Sequence, residues 1–180
     1  MVTLTLELKL IAQVGLIGLP NAGKSTLLAS ITRAKPEIAA YPFTTLEPNL
    51  GVLQLPRRRI IIADVPGLIA GASEGKGLGH AFLRHIERTK LLVHLVDVSK
   101  GPEELWADYE TVRNELNTFS PSLRRKKEII VLSKTDLANH EQIQEVGKLF
   151  RGHDLEVLTI SAATGEGLNQ LISEITAKSK

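Results

Sequence analysis

The chain has 180 residues, 43% of them hydrophobic, and a net charge of +2, so it can form one globular domain with a core and shows no bulk charge typical of nucleic-acid binding. It contains no cysteine, which excludes disulfides and thiolate metal sites. No apolar run approaches the roughly 20 residues that a membrane span requires, and no signal peptide begins the chain, so we expect a soluble, cytoplasmic protein without a membrane partner.

Leucine and polar side chains alternate from Thr3 to Leu10, which predicts a half-buried strand. We interpret residues 1–10 as a junction strand leading from a missing N-terminal domain. The alternative is a strand that packs on the surface of this same domain. The main domain then covers residues 11–180.

A phosphate-binding pattern, G-x-x-x-x-G-K-S, follows the apolar run Gln13 to Ile17 and opens a helix from Lys24 to about Thr32. Its glycines let backbone N–H groups wrap a polyphosphate, and the helix N-terminus attracts the anion. We expect Lys24 to reach the β- and γ-phosphates and the Ser25 hydroxyl to ligate Mg2+. The pattern assigns to the nucleotide Gly18, Leu19, Pro20, Asn21, Ala22, Gly23, Lys24, Ser25 and Thr26.

An irregular, proline-rich stretch from Lys35 to Asn49 separates this helix from two strands, Leu50 to Leu55 and Arg59 to Ala63, which form a hairpin. A threonine in the stretch, Thr44 or Thr45, can complete the Mg2+ shell when a γ-phosphate is present. The nucleotide-binding candidates here are Phe43, Thr44, Thr45, Leu46 and Glu47.

The second hairpin strand ends at Asp64, which can hold Mg2+ through a water molecule. The amide of Gly67 is then free to meet a γ-phosphate, and Val65 and Pro66 lie between the two. The alternative is a turn in which the aspartate only caps the next segment. A glycine-rich loop continues to Gly79.

Apolar strands alternate with amphipathic helices through the rest of the chain. After a helix carrying Phe82, Leu83 and Ile86, the predicted elements are a strand Leu91–Val98, a helix Pro102–Phe119, a strand Glu128–Leu132, a helix Ala138–Phe150, a strand Leu155–Ile160 and a helix Glu166–Ala177. This order predicts an α/β fold with a mostly parallel six-stranded sheet and helices on both faces. Ligands bind such sheets at the carboxyl ends of the strands.

Two of those strand ends carry groups suited to guanine. The Asp136 carboxylate can accept from the ring N–H and the exocyclic amine of guanine, and the stem of Lys134 can lie over the base. A backbone N–H after the last strand can donate to the guanine carbonyl. Each signal is weak alone, but together Ser133, Lys134, Thr135, Asp136, Ser161, Ala162 and Ala163 indicate a guanine nucleotide.

With these residues, the sequence from Ile11 to Lys180 resembles the Obg family of translation-factor-class GTPases. The motifs that carry the resemblance are Gly18–Ser25, Tyr41–Leu46, Asp64–Ile69 with Gly71–Ala72, and Gly77–His80 leading into Phe82–Arg88. The resemblance implies a Ras-like P-loop GTPase fold, Ser25 and Thr45 as direct Mg2+ ligands, Asp64 as the water-mediated one, and Asp136 as the base reader.

The resemblance also implies a slow GTP-hydrolysing switch that acts in assembly of the large ribosomal subunit. Its cofactors are GTP or GDP and Mg2+; its partners in the full-length protein are the ribosome and its RNA, with ppGpp as a competing nucleotide. We expect a monomer in the cytoplasm, or in an organelle stroma for a eukaryotic homologue. An RNA or ribosome adaptor with structural nucleotide, and an ATPase, are the alternatives; Asp136 argues against the ATPase.

The chain departs from the family at Ser133, where asparagine is usual. We expect the shorter hydroxyl to have reduced reach to the base and to the P-loop backbone, at a loss of about 1 kcal/mol or less. Because Obg proteins carry a glycine-rich domain before the G domain and often a further C-terminal domain, we interpret this chain as an excised G domain.

The residue after Gly67 is Leu68, which cannot orient water as a glutamine does in many GTPases. By resemblance, Asn21 matches an asparagine that binds K+ in related enzymes, where the cation acts much like an arginine finger. The catalytic candidates are Asn21, Lys24, Thr45 and Gly67.

Two further features have plain explanations. His80 and His85 are typical of surface or capping histidines rather than catalytic bases. The basic runs 57–59 and 124–127 could contact RNA phosphates, but such runs in turns are usually solvated.

Overall fold

The computed structural model describes residues 12–32, 37–38, 49–64 and 86–179, with only the backbone at 37–38. The strands are β1 (Val14–Ile17), β2 (Glu37–Ile38), β3 (Asn49–Gln54), β4 (Arg59–Asp64), β5 (Leu91–Asp97), β6 (Glu128–Ser133) and β7 (Val157–Thr159). The helices are α1 (Lys24–Ile31), α2 (Pro102–Phe119), α3 (Pro121–Arg124), α4 (His140–Gly152) and α5 (Leu168–Lys178), with a 3-10 turn at Thr135–Leu137.

These strands form one sheet in the order β2-β3-β4-β1-β5-β6-β7. β1 lies parallel between β4 and β5, and β6 and β7 continue the parallel part. β3 runs antiparallel to β2 and to β4. The predicted α/β class is confirmed, and the two residues of β2 add a short edge strand to the predicted six.

Helices cover both faces of the sheet because alternate residues of the buried strands face opposite sides. In β5, Leu91, Val93 and Leu95 pack in the cluster that α1 and α5 cover. Leu92 packs against α2 and α3 on the other face, and Val96 against α2 and α4. The central strands are therefore mostly apolar on both faces instead of alternating with polar residues, and the buried His94 of β5 is an exception.

Local capping sets helix boundaries that periodicity does not. α4 begins at His140, two residues later than predicted, because the side chain of Asn139 accepts a hydrogen bond from the Gln142 N–H at 2.8 Å. Ser120 caps α3 in the same way by accepting from the Ser122 N–H at 3.2 Å. α3 is not predicted from the sequence, since its single turn is too short to show a helical period.

Some predictions fall outside the described residues. They concern the junction strand Thr3–Leu10, the loop 41–48, and the glycine-rich loop after Asp64 with the start of the following helix. Within the described part of the chain, none of the helices combines the length and apolarity needed to cross a bilayer.

Gly51 gives a test of how α1 packs on the sheet. A Cβ at this position of β3 would lie 2.6 Å from both Leu28 Cδ1 and Thr32 Cγ2. We expect Gly51→Ala to lower the free energy of unfolding by about 1–3 kcal/mol through overpacking, measured by urea denaturation.

The matched control is Gly147→Ala in α4, where an added Cβ meets nothing within 4 Å. Since alanine is the better helix former, this variant should be as stable as the parent or more stable, by up to about 1 kcal/mol. Equal destabilisation of both variants would contradict the packing argument.

Candidate functional site

The P-loop turns away from the sheet at Gly18, directly after β1. Its φ is 142°, and a Cβ there would lie 2.4 Å from the Leu95 carbonyl oxygen of β5. Any side chain would therefore collide with the neighbouring strand. Asn21 also has a positive φ, 65°, in the left-handed region that asparagine tolerates better than most residues.

The Lys24 ammonium lies inside the loop. Its Nζ donates to the Gly18 carbonyl at 2.9 Å and to the Leu19 carbonyl at 3.0 Å. Burial lowers the pKa of Lys24, and the negative charge of Asp64 opposes that shift. A phosphate beside this lysine would offset the cost of its burial, and the N-terminus of α1 adds to the attraction.

Ser25 and Asp64 meet where β4 ends beside the P-loop. The Ser25 hydroxyl donates to Asp64 Oδ2 at 2.5 Å, and Asp64 is only 3% exposed. Its other oxygen, Oδ1, is buried without a hydrogen-bond partner. A buried carboxylate oxygen left unpaired is costly, so it marks a position for a bound cation or an ordered water.

The donors at this point fit Mg2+. The ion prefers oxygen ligands and is usually held by one or two carboxylates together with substrate phosphates. Within residues 12–32, 49–64 and 86–179 there is no group of three or more His, Asp or Glu side chains that could hold a metal alone. A cation between Ser25 and Asp64 would therefore take further ligands from outside these described side chains, such as the phosphates of a nucleotide.

Ser133 connects the end of β6 to the P-loop. Its hydroxyl donates to the Ala22 carbonyl at 2.7 Å, lies 3.1 Å from the Val96 carbonyl, and is buried. The expectation of reduced reach to the P-loop backbone is wrong for this contact, because the serine hydroxyl lies within hydrogen-bond distance of the loop. The expected loss of reach to the base remains a prediction.

An ion pair fixes Lys134, which has a φ of 61°. Its Nζ lies 2.6 Å from Asp97 Oδ2 at the end of β5. Burial would raise the pKa of Asp97, but hydrogen bonds from Lys134 and Ser99 outweigh it and keep that pKa below its usual value. The ion pair restricts the conformation of the Lys134 side chain, so that its methylene stem can pack against the flat face of a base.

The sequence analysis did not single out Asp97. The rule that identified Asp64 would have found it, since both are aspartates at the carboxyl end of a buried parallel strand.

The predicted base-reading segments follow β6 and β7. Asp136 is exposed in the 3-10 turn, and the N–H of the preceding Thr135 donates to the Ile160 carbonyl at 3.2 Å. Ser161 is buried, and its hydroxyl accepts from the Thr164 N–H at 3.1 Å. Ser30 of α1 donates to the Ala162 carbonyl at 3.0 Å, which joins this loop to the P-loop helix.

The predicted site residues thus fall into two groups. The structure joins the P-loop, Asp64, Ser133–Asp136 and Ser161–Ala163 through the contacts above. The others lie outside the described residues: Phe43, Thr44, Thr45, Leu46, Glu47, Val65, Pro66 and Gly67, as do Leu68, His80 and His85.

Comparison with protein families and relatives adds to this geometry. A family model described as 50S ribosome-binding GTPase matches residues 13–134. The chain is 55% identical over 169 residues to the GTPase Obg of Aquifex aeolicus, covering 92% of this chain and 49% of the relative. It is 53% identical over 178 residues to the GTPase Obg of Desulfatibacillum aliphaticivorans, covering 98% and 53%. The chain therefore spans about half the length of these curated relatives.

Solved structures show the same fold. Era of Aquifex aeolicus, bound to GDP and AlF4−, superposes with a TM-score of 0.67 at 25% identity over 92% of this chain and 56% of that one. The G domain of the T. maritima FeoB iron transporter gives a TM-score of 0.65 at 22% identity over 94% and 99%. The Ras-like P-loop GTPase fold is confirmed.

The contribution of the Ser133 hydroxyl to stability can be tested by removing it. We expect Ser133→Ala to lower the free energy of unfolding by about 1–2 kcal/mol, because the substitution deletes a buried hydrogen bond and leaves the Ala22 carbonyl unpaired. Urea denaturation measures this loss. The control, Ser173→Ala on the exposed face of α5, should change stability by less than about 0.5 kcal/mol. A loss no larger than the control's would show that the contact does not hold the P-loop.

Proposed function

From the premise that this chain belongs to the 50S ribosome-binding GTPase family, and within it to the Obg GTPases, we propose that it binds GTP with Mg2+ and hydrolyses it slowly to GDP and phosphate. The observation that carries the proposal is the contact between Ser25 and Asp64, with its buried unpaired oxygen. It joins a phosphate cradle to a cation position, which is the arrangement that phosphoryl transfer needs.

Each part of the nucleotide has a defined set of residues in this proposal. Gly18 to Thr26 enclose the phosphates, and Lys24 neutralises charge on the β- and γ-phosphates. Ser25, Asp64 and Thr45 hold Mg2+, which when bound neutralises charge at the β–γ bridge. The segments 43–47 and 64–67 complete the phosphate side.

Guanine is selected at the ends of β6 and β7. Asp136 is exposed and so able to accept from the ring N–H and the exocyclic amine of guanine, a pattern that adenine lacks. The Asp97 ion pair aligns the Lys134 stem beneath the base. Ser133, Thr135 and the loop Ser161–Ala163 form the rest of this pocket.

Hydrolysis in this proposal does not rely on a glutamine after Gly67. We assign the stabilising role to K+ bound at Asn21, which is exposed in the P-loop. The positive φ of Asn21 offers a competing explanation, since asparagine could be present for its backbone alone. The two explanations are distinguished by a substitution that removes the side-chain amide and keeps the positive φ.

Further features of the proposal follow from the family. The switch would act on the large ribosomal subunit and its RNA, ppGpp would compete for the nucleotide site, and the protein would work as a cytoplasmic monomer. Residues 1–10 would join this G domain, residues 11–180, to a further domain.

Base selection is tested by competition of GDP and ADP against a fluorescent guanine nucleotide. We expect GDP to bind at least a hundredfold more tightly than ADP, and Asp136→Ala to remove most of that difference, since hydrogen bonds to a carboxylate contribute about 1.5–3 kcal/mol each. Glu145→Ala, which removes an exposed carboxylate from α4, should leave the difference between GDP and ADP affinity unchanged. Tighter binding of ADP by the parent would favour the ATPase.

The role of Asn21 is tested by GTP turnover in KCl and NaCl at matched ionic strength. We expect GTP turnover to be at least about tenfold faster in K+ than in Na+, because the cation would replace part of the charge stabilisation that an arginine finger supplies. Asn21→Gly keeps the positive φ and should lose the K+ stimulation while still binding GDP. Lys24→Ala supplies the inactive baseline. Equal parent rates in both salts would disprove the K+ role and leave GTP hydrolysis standing.

A further inference from the structure

The edge of the sheet opposite the P-loop gathers two basic runs that are distant in sequence. β4, β5 and β6 are all aligned parallel to β1, so their N-terminal ends share this edge. The cations exposed there, which we name the basic edge, are Arg57, Arg59, Arg88, Lys90, Arg124, Arg125 and Lys127.

Two other cations of the same runs have structural roles. Arg58 donates to the Thr176 carbonyl and to Ser179 Oγ. Lys126 donates to the Glu87 carbonyl at 2.7 Å and to the Thr89 carbonyl at 2.5 Å, which fastens the loop before β6 to the segment before β5. These anchored residues fix the backbone from which their exposed neighbours project.

The basic edge is a local excess of unneutralised charge. Within the described part of the chain, none of its side chains forms an ion pair with a carboxylate. The nearby Glu87 is engaged by the Ser122 hydroxyl at 2.9 Å. Because the whole chain carries only +2, the remainder of the protein is net negative. The positive potential is therefore concentrated at this edge.

The edge also has defined limits. β4 and β6 are separated by β1 and β5, so at about 4.8 Å between strands the row extends roughly 14 Å. Beyond it, Asp154 and Glu156 are exposed just before β7.

We propose that the basic edge binds the phosphate backbone of duplex RNA. Arginine predominates in it, and the guanidinium fork suits phosphate oxygens. Of the large apolar side chains exposed in the described residues, Leu137 lies after β6 at the opposite edge, and Val52 lies in the β3–β4 hairpin, where it pairs with Ile61. One aliphatic side chain beside Arg59 is less than the apolar face that anchors a membrane-surface site. The choice of RNA over DNA rests on the ribosomal partner proposed above. Phosphate binding at the basic edge does not depend on GTP hydrolysis.

The experiment measures binding of this chain to a fluorescent 16-base-pair RNA hairpin by anisotropy between 50 and 200 mM KCl. The edge variant combines Arg57→Gln, Arg125→Gln and Lys127→Gln. The control variant combines Lys148→Gln, Arg151→Gln and Lys178→Gln, which removes the same charge from α4 and α5. Both variants should keep the parent's GDP affinity and urea midpoint, which shows that they fold.

We expect the edge variant to bind the hairpin at least tenfold more weakly than the control at 100 mM salt. The slope of log Kd against log salt should fall by about 2, since each lost phosphate contact removes roughly 0.7–0.9. Equal weakening of both variants, or no binding by the parent, would overturn the proposal. If the parent bound a DNA duplex more tightly than the RNA hairpin, the choice of RNA would be overturned. If the parent bound phosphatidylglycerol vesicles through the basic edge but did not bind the hairpin, the edge would be a membrane-binding surface and the RNA proposal would be overturned.

Discussion

The close approach of Gly18 to the Leu95 carbonyl is the constraint on which the nucleotide edge of this protein depends. The P-loop can leave β1 only because no side chain stands between it and β5. Once the backbone passes there, the Gly18 and Leu19 carbonyls face the Lys24 ammonium, and Ala22 comes within reach of Ser133. Changes to this one backbone path would displace the P-loop groups that we assign to the phosphates.

The charged groups whose burial is unfavourable also lie beside the P-loop. Lys24 is partly buried with a lowered pKa, and Asp64 is almost completely buried with one oxygen unpaired. A fold does not keep such groups for stability, because burial of unpaired charge opposes folding. Their arrangement makes sense as a prepared site, in which an anion beside Lys24 and a cation beside Asp64 supply the missing partners.

The two ends of the parallel sheet carry opposite kinds of chemistry. At the carboxyl ends, the side chains that end β4, β5 and β6 each hold a polar contact near the P-loop: Asp64 with Ser25, Asp97 with Lys134, and Ser133 with the Ala22 carbonyl. At the amino ends, the basic edge is exposed and forms no ion pair with a carboxylate among the described residues, whereas Arg58 and Lys126 hold the backbone. A partner bound at the basic edge would therefore leave the nucleotide site accessible.

The sequence by itself determined the fold class and most of the candidate site. Apolar strands followed by Gly18–Ser25, Asp64 and Ser133–Asp136 are local patterns, and strand polarity places all three at one edge. The cap at Asn139 sets a helix start that periodicity alone could not fix, and the cap at Ser120 begins a helical turn that is too short to predict. Only the tertiary structure decided that the runs 57–59 and 124–127 share one edge of the sheet, that Ser133 reaches Ala22, and that Asp97 fixes Lys134. Those contacts join residues far apart in the chain, so their distances depend on how the sheet and helices pack and not on any spacing that the sequence displays.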